Sequence, residues 1–233
     1  MDPGAAELSD ALAHADDLIA AFAAAADPER AAPMARYMKD HFPFFGIPAP
    51  ARRALHREVL GRWQPNETEL VAFTDTLWAR PERELQYAAC DVLERGARRC
   101  SPALLDHLEE WITTRSWWDS VDSLAHAVGN LVRVHPELAA VMDAWIEADD
   151  FWLARVALIY QLSYKDATDS DRLFRYCTRR AGDPEFFIRK AIGWGLREYS
   201  KTDPGAVAAF VTAHEAELSP LSCREALKRI PSA

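Results

Sequence analysis

The sequence lacks the features that mark membrane, secreted and fibrous proteins. Of its 233 residues only nine are glycine and four are cysteine, so neither a glycine-rich nor a disulfide-stapled chain is indicated. The longest alanine-rich run, residues 18–26, is too short to span a bilayer and follows several charged residues. The first residues lack the basic segment of a signal peptide. We therefore expect a cytoplasmic protein that does not bind a membrane.

Motifs for metal binding and nucleophilic catalysis are equally scarce. The four cysteines lie far apart, with no CxxC pair and no histidine at zinc-ligand spacing. The seven histidines are scattered and form no HExxH motif. No Ser/His/Asp constellation is present for a small-molecule hydrolase. The sequence predicts neither a metal nor a cofactor.

Charge is distributed unevenly along the chain. The formal net charge of −9 opposes a nucleic-acid partner at first sight. Residues 1–150 carry 14 basic and 26 acidic side chains, whereas residues 151–233 carry 13 basic and 10 acidic ones. The C-terminal third is therefore positive. This asymmetry says more about partners than the total does.

Helical periodicity runs through nearly the whole sequence. Helix starts are marked by a cap residue followed by proline or by a glutamate three residues later, as at Asn66, Asp203 and Ser222. The remaining composition, 49% hydrophobic and 27% charged, is ordinary for a globular protein. The sequence predicts an all-α fold.

The spacing of the helix starts predicts how these helices are arranged. Long helices are expected to open at positions 34 or 35 residues apart, with a shorter helix between each pair: Trp117, Phe151, Phe186 and Leu221. Two helices per period of this length are typical of an α-solenoid of HEAT-like repeats, curved around a concave groove. We expect one such domain over residues 1–233, with residues 1–30 forming either a capping helix or a loose extension. A generic helical bundle is the alternative, which the regular spacing disfavours.

The helix that opens at Phe186 carries a stripe of cations around one indole. Its members, three, four and seven residues apart, share one face: Lys190, Trp194, Arg197 and Lys201. Such a stripe suits a polyanion with flat edges, but a solvated basic face with Trp194 at its margin fits equally well. Gly193 and Gly195 flank Trp194 inside the helix. Close approach of a neighbouring helix or of a ligand backbone would explain them.

Two charged residues sit where charge is unexpected. Asp122 lies inside the helix that opens at Trp117, beyond the reach of the favourable N-terminal dipole. Arg155 stands in an apolar stretch, so it is either paired with a carboxylate or held for an anionic ligand. Stacking of successive long helices would bring Asp122, Arg155 and Trp194 onto one wall. Trp118, taken alone, is typical of a core residue.

Several stretches resemble a known family. Residues 34–39, 116–122 and 190–199, together with 45–47, 50–53 and 81–84, closely resemble the AlkD-type DNA alkylation repair glycosylases. The resemblance runs from about residue 30 to the C-terminus, and two tryptophan motifs at the right separation make it specific. It implies a HEAT-like solenoid that binds duplex DNA in its groove. A non-catalytic helical-repeat scaffold that binds DNA or protein is the alternative function.

The resemblance also implies an activity. Members of this family cut the N-glycosidic bond of positively charged alkylpurines, chiefly 3-methyladenine and 7-methylguanine, without a metal. Base flipping is not required. We expect a monomer that is associated with the nucleoid because it binds DNA.

Residue by residue, the resemblance assigns a candidate site. The family's catalytic aspartate falls on Asp122, its groove tryptophans on Trp118 and Trp194, its arginine on Arg155 and an N-terminal aromatic on Tyr37. A cationic leaving base needs no general acid, so a single carboxylate can stabilise the oxocarbenium-like sugar and orient water. The indole faces would stabilise the same positive charge. Arg155 is expected to hold a phosphate beside the lesion and to position Asp122.

Further cations are expected to contact phosphates. They are Lys190, Arg197 and Lys201 of the stripe, which would fix register without reading sequence. Ser163 stands where the family pattern leads us to expect a lysine. Lys165, two residues later, is expected to substitute for it in part.

Overall fold

Helices make up almost all of the fold. A computed structural model describes residues 3–230, with side chains from residue 7 onward. That range contains thirteen α-helices, three short 3₁₀ turns and no strand. The predicted all-α class is confirmed. No helix in this range is both long enough and apolar enough to cross a membrane.

The chain divides between His107 and Leu108 into two compact units. The first unit holds five helices: α1 (Pro3–Ala24), α2 (Pro28–Tyr37), α3 (Ala49–Leu60), α4 (Glu67–Trp78) and α5 (Arg83–Gly96). Helix α6 (Leu104–Thr113) spans the division. The second unit holds seven: α7 (Trp118–Val134), α8 (Ala139–Trp145), α9 (Phe151–Ile159), α10 (Ser170–Arg179), α11 (Phe186–Tyr199), α12 (Pro204–Ala213) and α13 (Pro220–Leu227). The single domain over residues 1–233 stays a prediction.

The N-terminal segment is a docked helix. Helix α1 buries a line of apolar side chains at helical spacing against α3 and α4: Ala11, Ala15, Leu18 and Phe22. All four are fully buried. Of the two alternatives for residues 1–30, the packed helix is therefore the one observed. Residues 1 and 2 lie outside the described range.

Two of the three cap residues named from the sequence do cap a helix. Asn66 and Glu69 form a reciprocal capping box at the start of α4, and Asp203 caps α12, which begins at Pro204. The prediction of a cap at Ser222 is wrong. Helix α13 is capped by Ser219, whose hydroxyl accepts from the Ser222 amide at 3.0 Å. A serine followed by proline is the stronger signal, and it stands three residues earlier.

The expected alternation of long and short helices is wrong at two positions. Helices α9 and α13 have nine and eight residues, fewer than the ten of α10 and of α12.

Glycines allow α7, α9, α11 and α13 of the second unit to pack closely. A Cβ added to Gly129 of α7 would lie 2.1 Å from the carbonyl oxygen of Tyr160, which follows α9. A Cβ at Gly195 of α11 would lie 3.0 Å from the Leu158 carbonyl oxygen, and one at Gly193 would meet α13. Of the two explanations for the glycines beside Trp194, the approach of a neighbouring helix is therefore the one observed. This close contact holds α7, α9 and α11 in register.

We expect Gly129→Ala to destabilise the protein by about 2 kcal/mol or more, because the new methyl group overlaps a backbone carbonyl that cannot move away as a side chain would. Urea denaturation measures the change in the free energy of unfolding. Gly182→Ala is the matched control, since nothing lies within 4 Å of a Cβ at that position. Equal stability of the two variants would contradict this account of the packing.

Candidate active site

A buried ion pair joins helices α7 and α9 of the second unit. Arg155 of α9 donates from Nε to Asp122 Oδ1 at 2.7 Å and from Nη2 to Asp122 Oδ2 at 2.8 Å. Its Nη1 donates to the Phe187 carbonyl oxygen of α11 at 2.6 Å. The guanidinium therefore connects α7, α9 and α11. The expected meeting of Asp122 and Arg155 is present.

Burial decides between the two roles that the sequence leaves open for Arg155. Its side chain is 5% exposed, against 17% for Asp122. Because its guanidinium binds a carboxylate and a carbonyl and has almost no surface, little of it is left for a phosphate. The geometry favours the positioning of Asp122 over the phosphate contact expected for Arg155.

The environment of Asp122 changes its affinity for protons. Burial raises the pKa of this carboxyl above its ordinary value, and the hydrogen bonds and charge of Arg155 oppose the rise. Asp119 raises the pKa further, and His126 lowers it. His126 lies one helical turn after Asp122, a spacing that marks it as a neighbour although sequence reasoning passed over it. The carboxylate keeps lone pairs and some exposed surface, so it can reach a ligand.

The two tryptophans of the predicted site differ in their relation to Asp122. Trp118 lies one turn before Asp122 on α7, so the two side chains are neighbours on one face. Trp194 lies on α11, two turns beyond Phe187 and about 10 Å further along the helix axis. It lines a shallow cavity with Arg197, Glu198, Lys228 and Arg229. Trp194 thus lies about two turns along α11 from the residue whose carbonyl binds Arg155.

An aromatic cluster that the sequence analysis missed supports the ion pair. The Phe187 ring lies 5.3 Å from the Trp117 ring, 5.0 Å from the Trp152 ring and parallel to the Phe151 ring at 6.4 Å. Arg155 Cζ stands 5.9 Å from the centre of the Phe187 ring. These rings belong to the aromatic pairs at the starts of α7, α9 and α11. From the sequence alone, these residues predicted only where the repeated helices begin.

The basic stripe on α11 is largely neutralised within the protein. Lys190 and Arg197 both form ion pairs with Glu225 of α13, the former at 3.1 Å. The Lys190 hydrogen bond lowers the pKa of Glu225, so this carboxyl is ionised at neutral pH. Lys201 pairs with Glu198 one turn away, at 2.5 Å. The phosphate contacts expected for the stripe stay predictions, and binding would require these cations to exchange carboxylates for phosphates.

The other predicted DNA contacts are exposed. Lys165 lies in a 3₁₀ turn with a left-handed φ of 53°. It forms no ion pair with any carboxylate among residues 7–230. It lines one cleft of about 370 Å³ together with Lys201, next to the exposed Ser163. Tyr37, the last residue of α2 in the first unit, is 73% exposed. Within the described part of the chain, no three His, Cys, Asp or Glu side chains are grouped to hold a metal ion.

Comparison with known proteins identifies the family. The sequence profile described as "DNA alkylation repair enzyme" matches residues 18–230. A solved structure from Enterococcus faecalis, described as a predicted DNA alkylation repair enzyme, is 37% identical with a TM-score of 0.81, over 89% of this chain and 98% of that one. The chain belongs to the DNA alkylation repair enzyme family. Membership makes it a DNA repair protein of the enzyme class, with DNA as its partner.

More distant structures share the fold of this repair enzyme. AlkD2 from Streptococcus mutans is 15% identical with a TM-score of 0.61, over 76% of this chain and 89% of that one. The protein smu.31 from Streptococcus mutans UA159 has the same identity and TM-score, over 78% of this chain and 97% of that one. They support the helical-repeat fold alone. No curated protein matches the chain significantly.

The ion pair makes a prediction about stability. Arg155→Met should cost about 3 kcal/mol, because it leaves Asp122 buried without its partner. Adding Asp122→Asn should recover at least about 1 kcal/mol of that loss, since two contacting residues are not additive. Urea denaturation of the two single variants and the double variant gives this coupling energy.

The matched control is the exposed pair of Arg179 and Glu147. Arg179→Met should leave the free energy of unfolding nearly unchanged, because water screens an ion pair at the surface. Strict additivity at Asp122 and Arg155 would mean that their contact contributes nothing to the fold.

Proposed function

We propose that this repair enzyme is a monofunctional DNA glycosylase. It hydrolyses the N-glycosidic bond of positively charged alkylpurines, chiefly 3-methyladenine and 7-methylguanine, in duplex DNA. The reaction belongs to base excision repair, uses no metal and leaves the damaged base stacked in the duplex. The protein acts as a monomer in the cytoplasm, associated with the nucleoid.

The observation that carries the proposal is the state of Asp122. Its carboxylate is mostly buried, held at both oxygens by Arg155, and stands one turn from Trp118. A fixed negative charge in a partly dry site stabilises a developing cation far more than a mobile carboxylate in water does. Because the ion pair is already formed, the carboxylate does not need to be reoriented when the bond to the base breaks.

The chemistry of the substrate explains why one carboxylate is enough. An N-alkylated purine already carries a positive charge, so it leaves as a neutral base and needs no proton from a general acid. The bond from the base nitrogen to C1′ breaks with its electron pair on the base, and positive charge develops on the deoxyribose. Asp122 stabilises this charge and orients the water that attacks C1′. Water supplies the hydroxyl group to C1′, and its proton is released.

Aromatic faces extend the same stabilisation. The indoles of Trp118 and Trp194 present negative π surfaces, which attract a cation and exclude water from it. Arg155 acts through Asp122 and is a positioning residue. The Phe187 carbonyl accepts a hydrogen bond from the remaining guanidinium nitrogen, so Arg155 and Asp122 cannot rotate together away from this position.

DNA binding is assigned to exposed or partly exposed side chains. They are Tyr37, Lys165, Lys190, Arg197 and Lys201. Lys165 can bind a phosphate without breaking an ion pair. The three cations Lys190, Arg197 and Lys201 would first have to break their ion pairs with Glu225 or Glu198. This exchange weakens the net gain from each contact. Binding should still weaken as salt rises, since phosphate contacts release counterions from DNA.

The ion pair also fits the alternative function. A bidentate ion pair that holds α7 and α9 together would stabilise a non-catalytic DNA-binding scaffold as well as an enzyme. The two functions differ in what they require of Asp122 beyond stability. A scaffold needs only the link between the two helices, whereas the glycosylase needs the negative charge of Asp122.

Asp122→Asn separates them. We expect excision to fall by about 10²-fold or more, with duplex affinity nearly unchanged, because the charge acts in the transition state and not in ground-state binding. Chromatography of free 3-methyladenine and 7-methylguanine released from methylated duplex DNA measures excision, and a binding titration measures affinity.

Asp171→Asn is the charge-matched control, at an exposed position in the first turn of α10. It should leave excision unchanged. Base release by the wild-type protein at the level of buffer alone would refute the glycosylase proposal. Equal losses of excision and affinity in Asp122→Asn would assign Asp122 a structural role.

A further inference from the structure

The first unit contains an arginine-rich cavity that the proposed function does not use. It lies where α3 and α5 end, and its volume is about 290 Å³. Four arginines line it: Arg57, Arg62, Arg95 and Arg99. No carboxylate is among the lining side chains, although residues 1–107 carry 12 basic and 17 acidic residues. A third of the basic residues of an acidic segment therefore converge on one cavity.

These arginines are also without ion-pair partners. Within residues 7–230, none of the four is paired with a carboxylate. Asp91 of α5 is engaged with Arg52 at 2.8 Å. On α10, by contrast, Arg172, Arg175 and Arg179 each pair with an aspartate or a glutamate. The arginines of α10 are therefore neutralised by carboxylates, whereas the four arginines of the cavity are not.

Hydrogen bonds to helix-end carbonyls engage only two of the four, although Arg57 also lies in the last turn of α3. Arg95 Nε donates to the Asp91 carbonyl oxygen at 2.9 Å, and Arg99 Nη1 donates to the Arg95 carbonyl oxygen at 3.3 Å. Cations are common in the last turn of a helix for this reason. The side chains of Arg57 and Arg62 form no such hydrogen bond among the described residues. All four arginines are exposed, so water screens their mutual repulsion in part, and an anion bound among them would offset the rest.

A buried histidine forms part of the wall. His56 is 4% exposed, and its Nε2 lies 3.5 Å from Arg95 Nη2. Burial and then the charge of Arg95 lower the pKa of His56 to about 4, so it is neutral at pH 7. A neutral imidazole accepts from Arg95 and holds that guanidinium at the cavity without adding another repulsive charge.

We infer that this cavity is a phosphate-binding site. Guanidinium groups bind phosphate oxygens through paired N–H donors, and several of them around one small cavity match the charge of one or two phosphate groups. Arg57 and Arg62 supply the free donors, and Arg95 is fixed by His56. The phosphate comes either from the backbone of a DNA strand or from a free phosphate compound. The site does not depend on the activity proposed for Asp122.

The test uses sodium pyrophosphate and an undamaged DNA duplex as separate probes, each titrated at constant ionic strength. We expect Arg57→Gln/Arg62→Gln to weaken the binding of at least one probe by about tenfold or more, because two charge-assisted donors are lost. Arg80→Gln/Arg224→Gln removes the same charge at exposed positions outside the cavity and should change affinity by less than about twofold.

A second variant protects the test against misfolding. Gln64→Glu places a negative charge on the exposed loop that lines the cavity, and it should weaken phosphate binding without removing any arginine. Weakened pyrophosphate binding with unchanged duplex affinity identifies a site for free phosphate compounds. Weakened duplex affinity beyond that of the control identifies a site for a strand phosphate. If both cavity variants bind both probes as the control variant does, the inference is wrong.

Discussion

Arg155 has almost no access to water, and its charge is tolerated there only because Asp122 and the Phe187 carbonyl replace the lost hydration. Neither partner is local in sequence. Each lies on a different long helix, about one repeat away. The ion pair therefore exists only if α7, α9 and α11 are stacked in one register. In return it fixes the carboxylate in one orientation, which is the property that the proposed chemistry requires.

That register is set by small residues and rings. Gly129 lets the Tyr160 carbonyl approach to a distance that any side chain would prevent, and a Cβ at Gly195 would make a tight contact with the Leu158 carbonyl oxygen. At the other end of the same helices, the rings of Trp117, Trp152 and Phe187 pack edge to face or tilted against one another. Close backbone contact and aromatic packing thus hold the helices on both sides of the ion pair, so the position of Asp122 depends on packing well beyond its own neighbours.

The sequence predicted what is local or periodic. The helical class, the starts near Trp117, Phe151 and Phe186, and the unusual charges of Asp122 and Arg155 all follow from patterns within one or two turns. Glu225 was not predictable in the same way. It neutralises Lys190 and Arg197 across a helix interface, and nothing in the local pattern gives the register between α11 and α13. The choice between a phosphate and a carboxylate as partner of Arg155 likewise needed its burial, which spacing alone does not supply.

The pH dependence of the single-turnover rate of 7-methylguanine excision, corrected for spontaneous release, tests the central claim most directly. We expect ionised Asp122 to stabilise the positive charge on the deoxyribose as the base departs. The wild-type rate should then fall as the pH drops through the pKa of Asp122, which lies above the ordinary aspartate value. Asp122→Asn should be slow at every pH and lack this acid limb. The same acid limb in both proteins, at comparable rates, would contradict the account.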